Sequence, residues 1–271
     1  MSKSFKVAHE APISILNQVD EVTDFSYALV HLFETHPAYY DHFYKARHVG
    51  NREVLLDNSL FELGHAFDSD KFVSWIEKLQ PNYYAVPDIL EDGYGTVDSF
   101  GAFSVEYKDL PGMRIGTVQG KTYSELVDCY RFMSENAEMI AISFDLSYYQ
   151  HTALGNTKLQ RQMNGRIKLI KDLQRDGIWN KVKLHHLLGC SLMREFKEYV
   201  YRGSAYTPNI YSCDTSNPVV AGIKGLRYNT DFGLESKPSQ KLIEFIDEKV
   251  TDDTLSLIKY NIQQFAKSIT V

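Results

Sequence analysis

Asn209-Ile210-Tyr211-Ser212-Cys213-Asp214-Thr215-Ser216-Asn217-Pro218 reads as a short strand that delivers an acid to a loop. Ile210 to Cys213 are apolar, small or β-compatible, and the Ser, Asn and Pro that follow are turn formers. An Asp at that junction has two readings. It either caps the turn through its own side-chain oxygen or stands where α/β enzymes keep their chemistry. The same grammar recurs along the chain. Brief β-compatible runs ending in polar or turn residues fall at 5–9, 53–58, 83–88, 113–119, 139–145, 181–189, 209–214 and 219–226. Helical periodicity occupies 17–35, 69–79, 94–107, 122–136, 157–177, 191–202, 238–248 and 252–267. A strand every 25 to 30 residues or so is the βαβ repeat, and eight such units predict a closed (β/α)8, TIM-like barrel. An open doubly wound sheet is the alternative, but no Gly-x-Gly-x-x-Gly follows any strand. No linker or repeat divides the chain, so 1–271 is read as one domain.

The 271 residues are 44% apolar and 13% aromatic, enough for a substantial core. A net charge of −6 means that a nucleic-acid substrate would have to be held by a local basic patch. Cys129, Cys190 and Cys213 are odd in number and far apart, which gives neither a disulfide framework nor metal-ligand spacing. The expectation is a reducing, cytoplasmic setting with no metal and no cofactor. The N-terminal residues lack an apolar h-region and no 18-residue apolar run occurs, so no membrane association is expected.

In a barrel of this kind the residues closing the strands build the site. Here they are His9 and Glu10, Asp57 and Asn58, Asp88, Gln119, Asp145, Gly189 and Asp214. Acids that end buried strands are costly unless paired, hydrated or used, so several converging on one rim imply a polar pocket.

The order of these strand-end motifs resembles the tRNA-guanine transglycosylase family, and especially its shorter phage members that insert 7-deazaguanines into DNA. Leu56-Asp57-Asn58-Ser59-Leu60-Phe61-Glu62 is similar to the family's Asp-Ser-Gly-Gly-Phe/Tyr-Gln segment, with the aromatic four residues after the acid. Val86-Pro87-Asp88 falls where the family has its base-reading Asp, and Gly116-Thr117-Val118-Gln119-Gly120 resembles Gly-Ile-Val-Gln-Gly. Leu187-Leu188-Gly189 is similar to Leu-Met-Gly, and Ser212-Cys213-Asp214-Thr215 falls where the nucleophilic Asp is expected. Two departures matter. Ser59-Leu60 replaces the Gly-Gly pair, and the Cys-x-Cys-x-x-Cys plus His zinc site of the tRNA enzymes is missing, so the zinc-binding subdomain is not expected.

The resemblance implies base exchange at C1′, with Asp214 as nucleophile and Asp57 as general acid/base, and a covalent aspartyl-glycosyl intermediate. Asp88 would accept from the N1–H and exocyclic amine of a guanine-like base, and the Gln119 amide would donate to O6. Phe61 and Leu188 would sandwich the ring, with Asn58, Gly120 and Gly189 beside it. The plainer readings are that Phe61 and Leu188 are core and Gln119 ties two loops. Asp145 reads equally as structural. Adjacent side chains on a strand face opposite ways, so His185 and His186 read as one core and one hydrogen-bonded histidine and not as a metal pair. Residues 158–183 carry eight basic side chains against Asp172 and Asp176. Arg161, Arg166, Lys168 and Lys171 within that run are the candidate phosphate contacts, although most such runs are solvated helix faces. The expected partners are DNA, with tRNA second, and a free 7-deazaguanine base, with an oligomer or helper protein left open. If the chain is phage-encoded, it acts in the host cytoplasm. An N-glycosidase that hands the sugar to water and a non-catalytic nucleic-acid-binding barrel remain as alternatives.

Overall fold

A computed structural model describes residues 5–199, 209–231, 233–234 and 241–269. Its strands are β1 (Lys6–Ala8), β2 (Phe25–Leu29), β3 (Glu53–Asp57), β4 (Tyr83–Ala85), β5 (Met113–Val118), β6 (Met139–Ile142), β7 (Leu184–Leu187) and β8 (Ile210–Asp214). They form one parallel sheet in the order β1-β8-β7-β6-β5-β4-β3-β2. The helices are α1 (Leu16–Asp20), α2 (Val30–Thr35), α3 (Pro37–His48), α4 (Leu60–Leu63), α5 (Ser69–Leu79) and α6 (Gly93–Glu106). They continue with α7 (Tyr123–Asn136), α8 (Ser147–Thr152), α9 (Lys158–Arg175), α10 (Asn217–Ile223) and α11 (Asp252–Ile269). Seven ladders join the strands, and β1 lies against β2 with no ladder between them among the described residues. The chain is therefore the expected (β/α)8 barrel, nearly closed, with the joint at β1/β2.

Several element assignments are corrected. The stretch read as one helix over 17–35 contains β2, whose five residues are all buried. Apolar residues on both faces give a strand no alternation to display, so the helical period of its neighbours ran through it. Arg52 fastens the start of this strand. Its guanidinium donates to the Thr23 carbonyl at 2.7 Å and to Ser26 Oγ at 3.0 Å, and it pairs with Asp20 at 3.2 Å. The run at 219–226 is not a strand: it is covered mostly by α10. Pro218 fits in the first turn of that helix, where no intrahelical N–H bond is needed. Gly222 lets α11 approach so closely that an added Cβ would lie 2.4 Å from Ile258 Cγ1. α3, which starts on Pro37, was not anticipated. The helix expected over 191–202 is a 3-10 turn at Met193–Glu198, and 200–202 lie outside the described residues. Of the helix expected over 238–248, only the turn Leu242–Glu244 is present among the described residues.

Beneath the C-terminal ends of β6 and β7 lies a buried ion pair. Arg166 of α9 is fully buried and forks onto Glu195, Nε to Oε1 at 2.7 Å and Nη2 to Oε2 at 2.8 Å. It also donates to the carbonyls of Ile142 and Leu188 and lies over the Phe144 ring. Tyr199 Oη donates to Glu195 at 2.8 Å. Arg166 therefore braces the strand ends and is not a phosphate contact, which corrects the sequence expectation. Arg166→Met is expected to destabilise the protein by about 3 kcal/mol or more, because it strands a buried carboxylate. Adding Glu195→Leu should recover most of that loss in denaturant titrations.

Candidate active site

Six strands and the residues just after them supply the groups that meet at the C-terminal mouth of the barrel. After β3 the chain turns at once, with Ser59 in the left-handed region at φ 64°, and the Ser59 N–H donates to Asp57 Oδ2 at 2.7 Å. The Tyr27 hydroxyl, on β2, lies beside the same carboxylate. Asn58 accepts from the Leu60 N–H through Oδ1 at 2.9 Å, which fixes its amide to point at β4. From there Nδ2 donates to Asp88 Oδ1 at 2.8 Å, and Gln119 Nε2 donates to Asp88 Oδ2 at 2.8 Å. Gln119 Oε1 in turn accepts from the Glu91 N–H at 3.0 Å. Asp88 is thus clamped between two amides. Across the barrel, Asp214 Oδ1 accepts from His186 Nε2 at 3.1 Å and from the Gly189 N–H at 3.0 Å. The Gly189 N–H also lies 3.1 Å from Oδ2. Gly189 sits at φ 60°, a backbone conformation that suits glycine and turns its N–H back toward the acid.

These groups border a cavity of about 450 Å³, within the range of small-molecule pockets. Burial pushes the Asp57 carboxyl up to about 7; the charges of Asp88 and Asp214 add to this, and the Ser59 N–H and Tyr27 hydroxyl oppose it. Burial also raises Asp88, against the Gln119 and Asn58 amides. The Tyr27 phenol is held well above its ordinary value by burial and by Asp57, Asp214 and Glu10. The site therefore holds a carboxyl that can gain or lose a proton near neutrality, which acid/base chemistry requires.

Asp57, Asn58, Phe61, Asp88, Gln119, Leu188, Gly189 and Asp214 all line the cavity, as the sequence led one to expect. Phe61 is 57% exposed at the mouth, so it is not a core residue. Gly120 does not line it: a Cβ there would meet Glu125 and Leu126 of α7, so its role is close packing behind Gln119. Asp145 lies in the wall, paired with Lys158 at 3.2 Å and bonded to Gln162. Glu10 lines the cavity, whereas His9 sits behind it with Nδ1 3.1 Å from the Thr215 carbonyl, and burial lowers its pKa to about 4. The two adjacent histidines do face opposite ways. His185 stacks on Trp179 with centroids 3.8 Å apart, outside the barrel, and His186 points to Asp214.

The basic run contributes less than its charge suggested. Besides the buried Arg166, Lys168 pairs with Asp172, Lys171 with Glu198 at 2.9 Å, and Arg175 with Asp172 and Asp176. Arg161 donates to the Gly155 carbonyl at 3.1 Å. Lys158 is the basic residue of this run that reaches the cavity wall. Sequence reasoning missed Tyr27, because β2 was read as helix, and it missed Thr117, Ser143, Gln162, Thr215 and Ser216. Thr117 and Ser143 lie on or next to correctly read strands, where an inward-facing hydroxyl carries no distinguishing signal. No three His, Cys, Asp or Glu side chains are grouped to hold a metal among the described residues, and none of the described helices is long and apolar enough to cross a membrane.

Fold and site together define a (β/α)8 barrel with a carboxylate-lined pocket at the C-terminal strand ends. No family model matches the chain and no curated protein matches it significantly. Among solved structures, a protein from Aquifex aeolicus VF5 is similar over 98% of this chain and 93% of its own, at 10% identity and a TM-score of 0.50. L-Talarate dehydratase from Polaromonas sp. JS666, complexed with Mg and L-glucarate, is similar over 79% of this chain and 54% of its own, at 10% identity and a TM-score of 0.44. The Aquifex likeness is one of fold.

Proposed function

We propose that the protein exchanges guanine in DNA for a free 7-deazaguanine base, through a covalent intermediate on Asp214. The observation that carries this reading is the convergence of Asp57, Asp88, Gln119 and Asp214 on one cavity, with Asp57 titrating near neutrality. Glycosidic exchange needs such a division of labour between carboxylates. Asp214 attacks C1′; the C1′–N bond breaks, its electron pair passes to the leaving base, and Asp57 supplies a proton. In the second half the incoming base gives its ring N–H proton to Asp57 while its nitrogen displaces Asp214 from C1′. Asp88 and Gln119 read the base edge with the capacity left after their mutual bond. A carboxylate has about four lone-pair sites and an amide two N–H donors, so each retains a position for ligand.

The motif order favours a guanine-type base, and the absence of Cys-x-Cys-x-x-Cys in the sequence favours DNA over tRNA. Labelled guanine incubated with DNA or with tRNA tests the reading. Label entering DNA supports it, label entering tRNA alone moves the activity to the other polymer, and base release with no incorporation makes the protein a hydrolase. Asp88→Asn is expected to keep polymer affinity near normal and to lose discrimination between guanine and adenine by about tenfold or more, since it replaces an acceptor with a donor. Competition of the two free bases for incorporation measures this.

A further inference from the structure

We propose that His186 is the positioning residue of the Asp214 nucleophile, an imidazole that holds Oδ1 so that Oδ2 faces C1′; this rests on the reading of Asp214 given above. His186 is fully buried, and both of its ring nitrogens are engaged. Nε2 lies 3.1 Å from Asp214 Oδ1 and Nδ1 lies 2.8 Å from Ser212 Oγ. As the attacking nucleophile Asp214 reacts as a carboxylate, which only accepts, so the geometry assigns a proton to Nε2 in this bond; Ser212 Oγ, a hydroxyl that can donate or accept, completes the contact at Nδ1. Ser212 is itself fully buried.

Tyr27 lies parallel to the ring, with centroids 6.1 Å apart and planes within 8°. The Tyr27 side chain in turn lies beside Asp57. Each carboxylate thus neighbours one ring of a parallel aromatic pair in the barrel interior. Among the described residues, Asp214 Oδ1 has two donors, His186 and Gly189, while Oδ2 shares only the Gly189 N–H. The less encumbered Oδ2 is the attacking atom. When the Oδ2–C1′ bond forms and the C1′–N bond breaks, Oδ1 becomes the ester carbonyl oxygen and still accepts both N–H groups. His186 keeps its proton throughout and directs the acid without joining the chemistry.

The experiment pairs kinetics with a readout that needs no turnover. His186→Phe keeps the ring and its stacking but removes the donor; exchange is expected to fall about 10²-fold in kcat, with KM for the free base changed less than about threefold. His186→Gln, whose amide can present a donor near the Nε2 position, should restore at least tenfold of that loss. In [15N]histidine-labelled wild type, one ring should show the Nε2–H tautomer, and Asp214→Ala should shift its Nε2 signal. Full activity in a natively melting His186→Phe, an Nδ1–H tautomer, or an Nε2 signal indifferent to Asp214→Ala overturns the positioning role. The tautomer is read even if no exchange is found with DNA or tRNA, so failure of the proposed activity and failure of this contact are told apart.

Discussion

Asp214→Asn is expected to lower guanine exchange by roughly 10⁴-fold or more, the scale of loss when a covalent nucleophile is removed. The amide cannot form the glycosyl ester, yet its oxygen can still accept from His186 and Gly189, so thermal unfolding should stay within a few degrees of wild type. Asp214→Ala should be equally inactive and less stable, because it leaves the buried His186 N–H without its acceptor. Trapping with DNA adds a second measurement. Wild type should accumulate a DNA-protein adduct in denaturing gels, and both variants should show none. Exchange surviving in an Asp214→Asn preparation free of deamidation would remove Asp214 from the nucleophile role.

Asp57→Asn is the second large effect, an expected loss of 10² to 10⁴-fold, the usual contribution of a positioned acid/base. In wild type, base release should decline as pH rises past about 7, where Asp57 gives up its proton. The same group has a thermodynamic signature. Its folded-state value of about 7 stands above the ordinary 3.8, so the native state holds a proton that the unfolded state has already released. The stabilisation from this carboxyl is fully present below pH 4 or so and is lost as pH rises through about 7. At about 1.4 kcal/mol per unit, the loss is at most on the order of 4 kcal/mol. Asp57→Asn should therefore be strongly impaired in exchange yet more stable than wild type at pH 8, with the difference vanishing near pH 4. Denaturant titrations at the two pH values measure it, and equal stabilities at pH 8 would refute a raised Asp57.

Much of this site could be read in the chain because its acids close strands that have β-branched or apolar bodies and abrupt turn chemistry behind them. Leu55-Leu56-Asp57-Asn58 and Tyr211-Ser212-Cys213-Asp214 announce both the strand and its end. What escaped has physical causes. Phe25-Ser26-Tyr27-Ala28-Leu29 is buried on both faces, so it shows no period of two, and Tyr27 was lost with it. Val219-Val220-Ala221-Gly222 is β-branched by composition but helical in place, since tertiary packing against α11 outweighs propensity. Arg166 looked like one more charge in a basic run. Its spacing from Gln162, Ile170 and Leu173 does put it on the buried stripe of α9, a signal that the charge count concealed. The amide clamp on Asp88 had no signature at all, because it joins side chains about thirty residues apart that meet only when β3, β4 and β5 align.

The unlaced joint between β1 and β2 makes the barrel a spring clip and not a hoop. Asp57 ends β3, one strand in from the joint on one side, and Asp214 ends β8, one strand in on the other. Going the long way round, the two acids are connected by a continuous series of ladders through β4, β5, β6 and β7; going the short way, no ladder crosses the gap among the described residues. The π-stacked Tyr27 and His186 span that gap, one attached to each acid. Compliance concentrates where restraint is weakest, so opening of the joint would change the spacing of Asp57 and Asp214 before that of Asp88 and Gln119, which follow β4 and β5 in the laddered arc. On the proposed reading, the two acids that do the chemistry flank the joint, and Asp88 and Gln119, which read the base, follow strands farther from it.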